Sequence, residues 1–241
     1  MSVELEFVGH ACFRLWQDGR PAIVMDPYGH ATVRLEDDGT RLEAQTVIVS
    51  SQTDPAHDNV EFVAGDPRVI NALDVARGQS DEVVNGEPLI TVVAAEAQDH
   101  TLHSPNDNAL YALKADDLWI LHMGDLGYEL TPEELAPFVD HCDVFLVITG
   151  EANTPSHDEL DRMIDFLSPK WVVPMHYCLP PITFDMSTVE KFLEHRAQDP
   201  IIYVRHHTVA FPLPMVRPGD PTIVVLEPSG YTPTNQLDSA R

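Results

Sequence analysis

Lysine is nearly absent from this chain: only Lys114, Lys170 and Lys191 occur in 241 residues. All basic residues together number 14 against 39 Asp and Glu, a formal net charge of −25. A surface this negative repels nucleic-acid phosphates and anionic lipid, so neither nucleic acid nor a membrane is expected as a partner. The imbalance suits a protein kept soluble at high salt, and equally a solvated acidic surface in an ordinary cytoplasm; both readings stay open. Cysteine is also scarce. Cys12, Cys142 and Cys178 are odd in number and far apart, which fits buried thiols in a reducing compartment better than a disulfide framework. Long apolar runs are missing, so no segment reaches the length of about 18 residues that spanning a bilayer requires. The opening residues 1–6 are acidic and alternating, without the basic-then-apolar order of a signal peptide. A cytoplasmic location is the default expectation.

What is present is core material: 44% of the residues are hydrophobic, enough for a full core without covalent staples. Residues 3–8 alternate apolar and polar, and 12–16 and 22–25 are further short runs, which predicts strands separated by turns at Gly9 and Asp18-Gly19. A continuous apolar run at 46–49 predicts a buried strand, and further strands are expected at 89–94, 109–113 and 118–122. The second half alternates strands (144–148, 171–173, 201–205, 208–211, 222–226) with helices announced by capping boxes. These boxes are Thr131-Pro132-Glu133-Glu134, Ser156-His157-Asp158-Glu159 and Ser187-Thr188-Val189-Glu190. No linker divides the chain, so one domain over residues 1–227 and a loosely held tail over 228–241 are expected.

Four segments then occur in a telling order: Gly9-His10-Ala11-Cys12-Phe13, Ile23-Val24-Met25-Asp26-Pro27-Tyr28, His122-Met123-Gly124-Asp125-Leu126-Gly127 and Pro174-Met175-His176-Tyr177. In that order the chain resembles the metallo-β-lactamase superfamily, and within it the branch of stand-alone hydrolases akin to L-ascorbate-6-phosphate lactonase. The resemblance implies an α/β (α+β) fold, a four-layer αββα sandwich. It also implies a His-x-His-x-Asp-His loop after the strand at 46–49, where paired histidines hold one metal and the Asp-His pair holds a second about 3.5–4 Å away.

Here that loop reads Gln52-Thr53-Asp54-Pro55-Ala56-His57. Alignment on the following Asn59-Val60-Glu61 places Gln52 and Asp54 at the first two histidines, Ala56 at the aspartate and His57 at the last histidine. Gln98 falls at a third histidine position, with His100 two residues on. Asp125 matches the aspartate that bridges both metals, and His176 matches the final ligand. The resemblance therefore implies a vacated first site at Gln52, Ala56 and Gln98, and one surviving centre on His57, Asp125 and His176. Asp54 is a candidate fourth ligand. Asp54 or His100 would serve as general base, while His10, Asp26 and His122 would support the ligands from behind. Two imidazoles and a carboxylate suit one divalent cation, zinc foremost, with manganese or iron as alternatives.

Two functions fit this pattern. One is a metal-dependent hydrolase of a small ester, lactone or phosphoester with a rearranged mononuclear centre. The other is a catalytically silent member of the fold, without metal, that binds a ligand or a partner. A nuclease is disfavoured by the charge, and the oligomeric state is not legible.

Overall fold

The computed structural model describes residues 3–33, 39–52, 54–96, 108–179 and 185–229. The chain begins with strands β1 (Val3–Gly9), β2 (Cys12–Gln17), β3 (Arg20–Met25), β4 (Thr46–Val49) and β5 (Arg68–Asn71), followed by helix α1 (Ala72–Ala76). A small hairpin of β6 (Val83–Val84) and β7 (Glu87–Pro88) leads into β8 (Ile90–Ala94), β9 (Asn108–Ala115) and β10 (Leu118–His122). Helix α2 (Pro132–Leu135), β11 (Val144–Ile148), α3 (His157–Leu167), β12 (Trp171–Met175) and α4 (Val189–His195) come next. The last strands are β13 (Ile201–Tyr203), β14 (Thr208–Phe211) and β15 (Thr222–Val225).

These strands form a six-stranded sheet, in the order β14-β1-β2-β3-β4-β5, and a seven-stranded sheet, in the order β13-β15-β12-β11-β10-β9-β8. Alternation along the first sheet explains why it is covered on both sides. Leu5, Phe7, Phe13, Leu15, Met25 and Ile48 join one large core shared with the second sheet and with the buried faces of α3 and α4. Val8, Cys12, Val24, Val47 and Val49 point the other way, into a smaller cluster with Tyr28, Val33 and Phe62. The mixed α/β sandwich expected from the sequence is present. Over the outer face of the first sheet, the cover among the described residues is loop and the 3-10 turn Val60–Phe62.

The strands at 46–49, 118–122, 144–148 and 208–211 fall where the apolar runs place them. β5, α1 and the β6–β7 hairpin carry no sequence signal: β5 is four residues long and buries only Ile70. Two capping boxes form as expected, Thr131 with Glu134 and Ser156 with Glu159. The third does not. Helix α4 starts after Thr188 without a side-chain cap, because Ser187 Oγ donates instead to Glu151 Oε2 at 2.8 Å. The start of the expected tail is tied down: Ser229 N–H donates to Phe7 O and its Oγ to Glu6 Oε1. Residues 230–241 lie outside the described residues. No helix among the described residues is long and apolar enough to cross a membrane.

Candidate metal centre

The parallel strands β3 and β4 of one sheet and β10, β11 and β12 of the other end at one edge of the sandwich. Chain ends leaving parallel strands there deliver side chains into a shared cleft. Asp26 follows β3, Ser50 follows β4, Asp125 follows β10 and His176 follows β12. His10, Asp26 and His176 all adopt left-handed backbone conformations, with φ of 54°, 44° and 52°. Such conformations cost free energy for residues other than glycine, and they cluster where function over-determines the backbone. His176 N–H donates to His10 O at 2.8 Å, which ties the two sheets together at this edge.

Asp26 is fully buried and is the hub of the supports. It accepts from Ser50 N–H and Tyr111 Oη–H, each at 3.0 Å, from Ser50 Oγ–H, and from His57 Nδ1–H at 2.9 Å. Burial alone would raise its carboxyl, yet His122, His57 and Ser50 together hold it below the ordinary range. Asp26 is expected behind the ligands with bonds to backbone amides; the structure places it against Ser50 N–H and His57 Nδ1. His122 braces the wall: Nδ1 accepts from Gly124 N–H at 2.9 Å, so Nε2 carries the proton it gives to Ala11 O, also at 2.9 Å. Both of its nitrogens are committed, and it offers no lone pair to a metal.

Because His57 Nδ1 donates to Asp26, the lone pair of the neutral ring sits on Nε2. That atom is buried with no hydrogen-bond partner among the described residues, 3.8 Å from Asp54 Oδ2 and 3.9 Å from Asp125 Oδ1. Asp125 Oδ1 is in turn 3.3 Å from His176 Nε2. Ligand atoms around a tetrahedral ion at about 2.1 Å are themselves about 3.4 Å apart. The separations are too long for hydrogen bonds to His57 and close to the edges of a coordination shell. Two triads of potential ligands meet at His57: Asp54 and Asp125 on one side, His10 and His176 on the other. The donor set therefore fits one divalent cation. Burial by itself would push His57 down, but Asp125, Asp26 and Asp54 outweigh it and raise the imidazole to about 10. With no metal, a proton takes the place of the cation.

The surroundings depart from expectation at several points. Gln52 does not occupy the vacated site. Its side chain is exposed and donates to Asp74 Oδ1 at 2.7 Å, because the loop's first residue turns outward toward α1. Ala56 does lie on the cavity wall and presents only a methyl group. Asp54 also lines the cavity, and its Oδ1 accepts from Ala56 N–H at 2.9 Å. His10 is nearer than its expected supporting place: its ring centroid is 4.1 Å from that of His176, and it faces the cavity. Gln98 and His100 lie outside the described residues.

Glu96, which follows β8, carries no sequence signal. Burial, with Asp125 and Asp54 nearby, raises its carboxyl to about 7 against the opposing bond from Ser51. With Asp125, Asn153 and His176 it lines a small chamber of about 200 Å³ beside the main cavity of about 700 Å³. Asn108 was also missed. Its Oδ1 accepts from Asp125 N–H and its Nδ2 donates to Met123 O, which fixes the turn that aims Asp125. Polar residues at the ends of apolar strands look ordinary in the sequence until the fold brings those ends together.

Residues 4–176 match the family model described as the beta-lactamase superfamily domain. A metal-dependent hydrolase of Pyrococcus horikoshii is 24% identical over 216 residues, covering 81% of this chain and 94% of the relative. One from Thermococcus kodakarensis is 24% identical over 217 residues with the same coverage. Among solved structures, a Thermotoga maritima protein of the metallo-beta-lactamase superfamily aligns with a TM-score of 0.67 and 25% identity, over 93% of this chain and 98% of its own. A metallo hydrolase from Ignicoccus hospitalis aligns with a TM-score of 0.58 and 18% identity, over 89% of this chain and all of its own.

Proposed function

The chain belongs to the metallo-β-lactamase superfamily, and we propose that it is a metal-dependent hydrolase of a small ester or related acyl compound that works through a single divalent cation. The observation that carries this reading is the buried Nε2 of His57, unpartnered and aimed between Asp54 and Asp125. A buried polar atom left without a partner costs about 1–3 kcal/mol, and a cation held by His57, Asp125 and His176 removes that cost. The hydrolase names of the archaeal relatives support the same reading.

The cation would supply an electrophile and lower the pKa of a water it holds toward about 7. The chain's own residues do the rest. Asp26 fixes the ring of His57 and its tautomer. Asp54, on the cavity wall, takes the proton from the attacking water. Glu96 lines the adjoining chamber beside Asp125, where burial raises its carboxyl to about 7 in the metal-free protein, and it would pass a proton to the leaving group. Gln52 turned toward Asp74 and Ala56 presenting a methyl supply no ligand at two of the positions where the resemblance implies one. The same two residues favour the rival reading, a silent binding module.

Elemental analysis of protein purified without chelator separates the two. About one zinc, manganese or iron per chain, lost in both His57→Ala and His176→Ala, is expected. A wild-type protein that stays metal-free after reconstitution with each of these ions rejects the hydrolase reading in favour of the silent one.

A further inference from the structure

The main cavity is lined by Asp54, Asp125, Glu151 and Asp185, and no lysine or arginine lines it among the described residues. Asp54 and Asp125 flank the buried, unpartnered Nε2 of His57, so both are taken up by the proposed reaction, Asp125 as a ligand and Asp54 as the base. Glu151 and Asp185 belong to neither group of potential ligands.

Glu151 is held in place. Its backbone is left-handed, with φ of 56°. Its Oε2 accepts from Ser187 Oγ–H at 2.8 Å, and Oε1 is 3.6 Å from His157 Nδ1. Ser187 N–H donates to Gly150 O at 2.7 Å, which clamps the loop from the other side. Gly150 is needed there because a Cβ would run into His176 O. Lys191 reaches this carboxylate only through Ser187, to whose Oγ its Nζ donates at 3.2 Å from α4, and neither Lys191 nor His157 lines the cavity. Ala152 and Met186, next in the chain to the two carboxylates, also line the cavity and give it apolar surface. A fixed carboxylate, a second carboxylate and a soft apolar surface together suit an alkylammonium group. A phosphate or carboxylate would be repelled there by Glu151 and Asp185.

We propose that this cavity selects an acyl ester or thioester whose non-reacting end carries an ammonium or quaternary ammonium group, held against Glu151 and Asp185. The proposal rests on the hydrolase reading for its chemistry. In thioester hydrolysis the oxygen of water bonds to the acyl carbon and the C–S bond breaks. The sulfur leaves with one proton of the water, and the other is released from the new acid.

Binding and turnover test the two levels separately. Calorimetry on the metal-loaded protein would compare choline with its uncharged isostere, 3,3-dimethylbutan-1-ol. Choline is expected to bind about tenfold more tightly at low salt. The double variant Glu151→Gln/Asp185→Asn should lose that preference, while Glu133→Gln, which removes an exposed charge on α2, should retain it. Equal binding of the two alcohols by the wild type would overturn the proposal. So would a preference that survives the double variant, or one that Glu133→Gln removes equally. In turnover, acetylthiocholine should exceed S-(3,3-dimethylbutyl) thioacetate in kcat/KM by the same factor, with 3-(acetylthio)propanesulfonate slowest; the reverse order again overturns it. Selective binding of choline with no hydrolysis of any thioester would remove the hydrolase reading and leave the cation subsite standing.

Discussion

His57 Nδ1 donates to Asp26 Oδ2 at 2.9 Å, and that bond leaves Nε2 as the atom that faces Asp54 and Asp125. Neither Asp26 nor His57 is accessible to solvent. The pair therefore acts as a rigid mount, and its properties can be tested from both ends.

Asp26→Asn keeps the shape of the hub and removes its charge. The three proposed ligands remain, but the imidazole loses the carboxylate that orients it and raises its basicity. Metal affinity should fall about 10–100-fold, as for other such supports, measured by competition with a chelator of known affinity. An unchanged affinity would reduce Asp26 to a scaffold residue.

The raised imidazole of His57 carries a definite pH dependence. Its folded value of about 10 lies above the usual 6.5, so folding of the metal-free protein takes up a proton between those limits. The stability from this group is complete below about pH 6.5 and is lost as pH rises toward about 10. Urea denaturation of metal-free protein should show lower stability at pH 9.5 than at pH 6.5. A cation competes for the same nitrogen, so loading at pH 8 should release about one proton. That release appears as a calorimetric heat that varies with the ionisation enthalpy of the buffer; a heat independent of buffer would exclude His57 as a ligand.

Gly124 sits where the turn before Asp125 passes closest to the first sheet. Its φ is +63°, and a Cβ there would collide with Asn108 Oδ1 and lie 2.6 Å from Ser50 Cβ. Gly124→Ala combines backbone strain with overpacking, and the expected loss is at least about 2 kcal/mol. Denaturant titration reads the loss directly. Near-wild-type stability would mean that the turn has room to move and that Asp125 is less firmly aimed than its bonds to Asn108 indicate.

Ala56 lines the cavity with a methyl, at the position where the resemblance implies an aspartate. Ala56→Asp should tighten the binding of one divalent cation about tenfold or more, because a charged oxygen ligand is added beside His57. The metal-free variant should be less stable than wild type, since a fourth carboxylate joins Asp26, Asp54 and Asp125 around one proton. Melting curves with and without metal should therefore diverge more than they do for the wild type. Curves that stay parallel would place residue 56 outside the coordination sphere.

Most of the framework was legible in the sequence because it rests on local patterns. Apolar runs located β4, β10, β11 and β14, and the boxes at Thr131 and Ser156 capped α2 and α3 as their spacing predicts. Motif order also pointed to His57, Asp125, His176 and Asp26, since each follows a strand and strand ends converge. The structure alone decided what those residues do to one another. Gln52 turned outward to Asp74, Ser187 left its helix to fix Glu151, His10 came up against His176, and Glu96 acquired a raised carboxyl beside Asp125. Each outcome depends on burial and on partners more than 20 residues away in the chain, or on the opposite sheet. Local spacing holds no information about either. Sequence determined which side chains reach this edge of the sandwich; packing of the two sheets determined which of them face the buried nitrogen of His57.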